Sequence, residues 1–288
     1  MNMEALPLTS CRDEIVPLAS GQSLPVRIYQ GATRHAAAPL VLHLHAGSFT
    51  GGDLGSGELV SRLLAEAGAV VVDADYPKGQ GQIFPAALKS LDGLLHSLFQ
   101  RRGRLASKHS PLLVAGEEAG GNLAAALALM ARDQGHGRLA GQILIGPMLD
   151  PCLATASLRD AETADASCRW AQGWRAYLGE CEGGDHPYAS PARASRLSGV
   201  APALVVSTED DPMRDESLAY ARALKRAGVL VQQALLPGPS GWPEALMKPL
   251  AQLSPLLPPP PWVRVLRQRL AEFLSRFLPA AGPSWQPA

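Results

Sequence analysis

Short apolar runs alternate along the chain with stretches whose apolar positions recur every three to four residues. Continuous apolar runs are typical of strands that are covered on both faces, and the longer period is typical of amphipathic helices. The pattern predicts strands over 26–29, 40–45, 69–73, 112–115, 142–145, 203–207 and 231–236. It predicts helices over 57–67, 85–100, 121–134, 214–227 and 263–278. Such alternation implies an α/β fold with a mostly parallel central sheet, helices on both faces, and the first strands paired antiparallel at one edge.

Two stretches interrupt this alternation. Residues 151–198 carry Trp170, Trp174 and Tyr177 in a helical setting and predict a small cap-like insert above the sheet. Residues 254–262 contain consecutive prolines at 258–261, which we expect to form an extended connector rather than a helix. The last predicted helix is amphipathic, which favours packing on the sheet. We expect residues 1–288 to form one domain, which is long but within the range of α/β domains.

Composition narrows the classes of function. Apolar residues make up 47% of the chain, and the formal net charge is zero with an isoelectric point near 7.1, so nothing points to a nucleic-acid partner. No run reaches the roughly 18 apolar residues of a membrane span, and the first residues do not have the pattern of a signal peptide. The four cysteines lack C-x-x-C spacing, so we expect free thiols, no metal site and no cofactor in a cytoplasmic protein.

The first motif with chemical content is the turn at 116–121, Gly-Glu-Glu-Ala-Gly-Gly. It lies between a predicted strand and a predicted helix. This is the setting of a nucleophile elbow, in which the middle residue of G-x-S-x-G projects at the top of a sheet. Here the middle residue is Glu118, followed by Ala119, so the turn carries a carboxylate where a hydroxyl is expected.

The second motif follows the strand that ends at His45, and reads His-Ala-Gly-Ser-Phe-Thr-Gly-Gly-Asp over 45–53. Small residues at Ala46, Gly47 and Ser48 let a substrate carbonyl approach backbone N–H groups, as in an oxyanion hole. An ordinary glycine-rich turn is the alternative interpretation of this segment.

Together these segments resemble the hormone-sensitive-lipase-like family of α/β-hydrolases, over about residues 25 to 245. The loop at 45–53 is similar to the family's H-G-G-G-F-x-x-G-D, and the turn at 116–124 is similar to G-D-S-A-G-G-N-L-A. Further matches in the same order are Asp75-Tyr76, Phe84-Pro85-Ala86-Ala87, Tyr188-Ala189-Ser190-Pro191 and Asp211-Pro212-Met213-Arg214-Asp215-Glu216.

The resemblance implies a Ser-His-Asp triad whose positions fall at Glu118, Gly241 and Asp211. Only the carboxylate position, Asp211, keeps its residue type. Because the triad acts as a unit, loss of the serine or the histidine lowers kcat by about 10⁶. The chain is therefore expected to be a degenerate member with little serine-esterase activity.

Three hypotheses follow from these residues. The first is a non-hydrolytic protein whose cleft binds a small molecule, acts as a sensor or regulator, or is only structural. The second is an enzyme with altered chemistry, such as a carboxylic-ester hydrolase that uses Glu118. The third is an assembly partner, for example a homodimer. The expected ligand-contacting residues are His45, Ala46, Gly47, Ser48, Glu118, Ala119 and Asp211.

Overall fold

A computed structural model describes residues 9–32, 37–135, 139–161, 164–179, 183–248 and 259–278 of the chain. Side chains are described over the same ranges apart from 164–168 and 183. The predicted connector 254–262 therefore lies outside the described residues up to residue 258. The same holds for His136, Cys181 and the side chain of Cys168.

An eight-stranded sheet forms the centre of the molecule, in the order β1-β2-β4-β3-β5-β6-β7-β8. Strands β1 and β2 pair antiparallel, as do β2 and β4, and all other neighbours are parallel. The predicted α/β fold with an antiparallel edge is confirmed. The strands are β1 Ser10–Pro17, β2 Ser23–Gln30, β3 Leu40–Leu44, β4 Val70–Ala74, β5 Leu112–Glu117, β6 Gly141–Ile145, β7 Ala203–Thr208 and β8 Val231–Leu236.

Helices cover both faces of the sheet. Helices α1 and α7 pack on one face and α2, α3 and α6 on the other, which gives two apolar cores separated by the sheet. Every residue of β3, β4, β5, β6 and β7 is buried, as their continuous apolar runs predict. The helices are α1 Glu58–Glu66, α2 Ala86–Leu105, α3 Glu118–Gln134, α4 Ala156–Asp160, α5 Ala164–Leu178, α6 Arg214–Arg226 and α7 Pro261–Leu274.

Three elements differ from the sequence prediction. Strand β1 was not predicted, because it is a charged edge strand whose residues are mostly exposed and show no apolar run. Helix α4, a single short turn, was also not predicted. The expectation that the connector extends to residue 262 is wrong at Pro261 and Trp262, which begin α7. Proline is tolerated there because the first helical N–H has no partner within the helix.

The final helix packs on the sheet, as its amphipathic pattern indicates. Trp262, Leu266, Leu270 and Phe273 of α7 are buried with β7 and β8 residues in one apolar cluster. Helices α4 and α5 lie within 151–198, where the sequence predicts an insert. No helix within the described ranges is long and apolar enough to span a membrane.

Candidate functional site

The sharp turn between β5 and α3 holds Glu118 at its tip. Strand β5 ends at Glu117 and helix α3 begins at Glu118, whose φ of 48° lies in the left-handed region. The turn is tight because a Cβ atom at Gly116 would collide with the Gly120 carbonyl, and one at Gly120 with the Leu44 carbonyl of β3. Because the glycines have no side chain, the turn packs directly against β3. The strained backbone at residue 118 then directs its side chain above the sheet.

The Glu118 carboxylate accepts hydrogen bonds from four donors. Its Oε2 atom accepts from the backbone N–H groups of Gly47 at 2.8 Å and Ser48 at 2.7 Å. Its Oε1 atom accepts from Ser48 Oγ at 2.9 Å and from the indole Nε1 of Trp170 at 2.7 Å. Glu118 is 1% exposed. The carboxylate therefore lies in the cradle of N–H groups that the sequence predicts as an oxyanion hole.

Backbone conformation in the loop after β3 makes these two N–H groups converge. Gly47 has a φ of 142°, and Ser48 and Phe49 have φ values of 50° and 60°. The Gly47 carbonyl accepts from Gly51 N at 2.8 Å, which closes the loop into a turn. Successive N–H groups in such a turn form a nest that favours an anion, and here the anion is the Glu118 side chain.

The predicted contact residue His45 supports this loop through its contacts with Tyr76 and Ala46. The ring of His45 stacks on Tyr76 with centroids 4.6 Å apart, and its Nδ1 lies 2.7 Å from the Ala46 carbonyl. Tyr76 donates its hydroxyl to the His45 carbonyl at 2.8 Å. His45, Ala46 and Ala119 are fully buried. Among the described residues, His45 makes no hydrogen bond to Glu118, so it shapes the loop and does not act on the carboxylate.

Helix α5 of the predicted insert covers the site, and its contact with Glu118 through Trp170 was not predicted. Besides the Trp170 hydrogen bond, Gly173 lies so close to the Ser48 carbonyl that a Cβ atom would collide with it. Phe49 of the loop stacks on Tyr177 with centroids 4.1 Å apart and packs on Trp174 at 5.1 Å. The available signal was the i, i+4, i+7 spacing of the aromatic residues at 170, 174 and 177, which places them near one face of a helix.

Asp211 and Gly241 lie in the segments that follow β7 and β8, and neither has a described hydrogen bond to Glu118. Asp211 is buried, and its carboxylate accepts from Ser207 Oγ at 2.7 Å and Met213 N at 2.9 Å. Burial raises the pKa of Asp211 to about 6, against the lowering effect of these hydrogen bonds. Among the described residues, no hydrogen bond links Asp211 to Glu118 or to Gly241.

Gly241 is exposed, and the carboxylate of Asp210 accepts hydrogen bonds from the backbone at residues 240 and 241. Asp210 accepts from Ser240 N at 2.7 Å and from Gly241 N at 3.3 Å. Gly241 has a φ of 69°, and the atom nearest to a Cβ built on it is Ala245 Cβ at 3.8 Å. The position therefore has room for a side chain, in a conformation that non-glycine residues adopt rarely.

A buried charged cluster lies directly beneath the turn. His43 contacts Asp73 at 2.8 Å through Nδ1 and Glu117 at 3.1 Å through Nε2, and Ser61 Oγ lies 3.1 Å from Nδ1. Burial alone lowers the pKa of His43, but the Glu117 and Asp73 carboxylates outweigh it and raise that pKa to about 10. The imidazolium thus holds Glu117, the neighbour of Glu118, in place. Ser61 and Asp73 share one ring nitrogen and are fully buried, so the cluster is not a nucleophilic triad.

The other histidines within the described ranges supply no base to the site. His43 and Glu117 contact each other in the buried cluster, away from the Glu118 carboxylate. His96, His109 and His186 are exposed. Within the described ranges, no group of three or more His, Cys, Asp or Glu side chains is arranged to hold a metal ion.

Comparison with known proteins agrees with this fold. Residues 41–240 match the α/β-hydrolase fold family, so the chain belongs to that family. It is 31% identical over 242 residues to the carboxylesterase NlhH of Mycobacterium tuberculosis, with 80% of this chain and 74% of the relative covered. It is also 31% identical over 242 residues to the gibberellin receptor GID1B of Arabidopsis thaliana, with 74% and 67% covered.

Solved esterase structures superpose closely on the chain. A thermostable esterase of Pseudomonas putida matches with a TM-score of 0.81 and 28% identity, covering 95% of this chain and 84% of that chain. The thermostable carboxylesterase EstE1, cloned from a metagenomic library, matches with a TM-score of 0.79 and 29% identity, covering 96% and 92%. The predicted kinship with esterases of this fold is confirmed.

Proposed function

We propose that this chain is a catalytically degenerate α/β-hydrolase, a non-hydrolytic protein with a binding, sensing or regulatory role. The observation that carries the proposal is the Glu118 carboxylate, which lies at the tip of the turn and bonds to Gly47, Ser48 and Trp170. The side chain acts as an internal ligand of the loop that would otherwise stabilise a substrate oxyanion.

Three chemical features oppose ester hydrolysis. Glu118 has no hydroxyl, and both of its oxygens are already hydrogen-bonded. A negative charge in the cradle repels a developing oxyanion instead of stabilising it. Gly241 supplies no imidazole to activate a nucleophile or water. Each feature alone lowers the rate, and the first and third together remove both halves of the nucleophile-base pair.

A receptor among the relatives supports a binding role. GID1B is named for gibberellin reception rather than for hydrolysis. The same fold thus serves a named receptor and named esterases, and function follows the site rather than the fold. In this chain the site is filled by the Glu118 side chain, which opposes hydrolysis there.

Back-substitution tests the proposal. The unmodified chain should not hydrolyse p-nitrophenyl acetate or butyrate above background, whereas Glu118→Ser combined with Gly241→His should gain turnover. The left-handed backbone at residue 241 costs a histidine about 1 kcal/mol, which the fold can bear. Each single substitution is the matched control and should stay inactive, because the serine and the base act together.

An enzyme with altered chemistry is the second candidate. The φ of 48° places Glu118 at the tip of the turn, where a nucleophile of this fold would lie, and several relatives are named as esterases. If Glu118 is a nucleophile, the unmodified chain turns over short-chain esters and Glu118→Ala abolishes this activity. That result would refute the non-hydrolytic role.

A further inference from the structure

A groove of about 780 Å³ runs beside helix α5, outside the closed site around Glu118. The α5 residues that line it, Ala171, Trp174, Arg175 and Leu178, recur at helical spacing and form one face of the helix. The opposite wall is the segment Pro151-Cys152-Leu153 after β6, and Gly179, Gly184, Asp185 and Arg193 complete the lining. The face of α5 that covers Glu118 is the neighbouring one, which carries Trp170.

The walls of the groove include apolar surface. Pro151, Leu153, Ala171 and Leu178 supply aliphatic contacts. Trp174 separates the groove from the core, where it packs on Phe49. Its indole Nε1 is buried and has no hydrogen-bond partner within the described ranges.

Arg175 is the one cation of the described groove lining that is not in an ion pair. Arg193 is neutralised by Asp185 and lies 3.5 Å from Asp150. Arg175 is exposed and forms no ion pair with any described residue. A guanidinium beside an apolar wall is suited to a carboxylate that carries a hydrocarbon chain.

We infer that this groove binds a small amphipathic carboxylate, with the carboxylate on Arg175 and the apolar chain against Leu153, Trp174 and Leu178. The volume lies within the range of about 300–1,000 Å³ that small-molecule sites occupy. The inference deepens the proposed function, because it gives a non-hydrolytic chain a ligand site separate from the one that Glu118 fills.

Titration of the full-length protein with octanoate tests this site. With 15N-labelled tryptophan, the indole resonance of Trp174 is identified by its absence in Trp174→Phe. Octanoate, kept below its micelle concentration, should shift this resonance saturably. Octanol lacks the carboxylate and sodium acetate lacks the hydrocarbon chain, so each should shift it less. Arg175→Gln should weaken octanoate binding about tenfold or more, the value of a lost charge-assisted hydrogen bond.

Arg222→Gln is the matched control, since it removes the same charge from an exposed position on α6. It should leave octanoate affinity unchanged. Absence of a saturable shift, equal binding of octanol, or equal weakening by the two arginine substitutions would overturn the inference. Esterase activity of the unmodified chain would refute the proposed function instead, and leaves the groove result unaffected.

Discussion

Glu118 combines a strained backbone with a fully hydrogen-bonded side chain. Its position at the start of α3 is favourable for a negative charge, because a helix N-terminus carries partial positive charge. Four donors and the helix together stabilise an anion that would otherwise be unfavourable at 1% exposure. The hydrogen bonds that Glu118 accepts therefore explain why a carboxylate is stable at this position.

Glu118→Ala should expose this dependence. The substitution leaves four buried donors without their acceptor, so we expect a loss of about 2–4 kcal/mol in the free energy of unfolding. Acetate or formate should restore part of the loss by binding to the donors that Glu118 leaves free. At a concentration of about 100 times its Kd, such a ligand adds about 2.7 kcal/mol to the free energy of unfolding. Urea titrations with and without each anion provide the measurement.

Acetamide is the control for this rescue, since it has nearly the shape of acetate without the charge. Equal rescue by acetamide would mean that the cradle does not select an anion. No rescue by any of these ligands would mean that water or a rearranged loop satisfies the donors.

At the scale of elements, the hydrogen bond from Trp170 joins α5 to the turn between β5 and α3. Helix α5 has otherwise mainly aromatic contacts with this part of the protein, through Trp174 and Tyr177 on Phe49. A hydrogen bond to a charged acceptor contributes about 1.5–3 kcal/mol, more than a neutral one. The indole therefore fixes the helix over the site.

Trp170→Phe should loosen α5 selectively. We expect faster amide hydrogen exchange over residues 169–178 with little change in α3, because the helix loses its only described bond to Glu118. Trp174→Phe is a close control: both indoles are almost fully buried, at 2% and 3% exposure, but the Trp174 N–H has no described partner. Similar exchange rates in the two variants would show that packing alone holds α5 in place.

Local sequence explains most of the strands and helices and the glycines of the turn. It does not explain how α5 packs over Glu118. Strands β3 to β7 were predictable because they are short runs of mostly apolar residues. The turn was predictable because only glycine fits at residues 116 and 120. Strand β1 was not, since a charged edge strand has no apolar periodicity. The Trp170 contact joins residues 52 positions apart, so it depends on how α5 folds back rather than on any local pattern.

At the scale of the whole molecule, a buried carboxylate couples stability to pH. Glu216 of α6 accepts from Leu149 N at 2.7 Å and Asp150 N at 3.1 Å, which joins α6 to the segment after β6. Burial raises the Glu216 pKa to about 8 from an ordinary value of 4.5, although these N–H groups oppose the change. The folded protein therefore holds a proton on this residue that the unfolded chain releases.

The sign of the effect follows from proton binding. Between pH 4.5 and about 8 the folded state binds more protons than the unfolded state, so stability should fall as pH rises through this window. Glu216→Gln cannot ionise and should lose this part of the slope. We expect the variant to gain stability relative to the unmodified chain by up to a few kcal/mol from pH 5 to pH 8.

Urea unfolding at several pH values measures this difference. Asp211 and His43 titrate in both proteins, so the difference between the two curves reports Glu216 together with its coupling to Asp211. Parallel curves across the window would show that Glu216 is already ionised in the folded protein at low pH.

The carboxylate at the tip of the turn also determines how this protein behaves towards covalent reagents. Fluorophosphonates label hydrolases of this fold by phosphonylating an activated serine alkoxide. On the proposed function, residue 118 offers no alkoxide and its oxygens are already bonded to Gly47, Ser48 and Trp170. Labelling surveys of cells would then pass over this protein even where it is abundant, and only a measurement of its amount would reveal it.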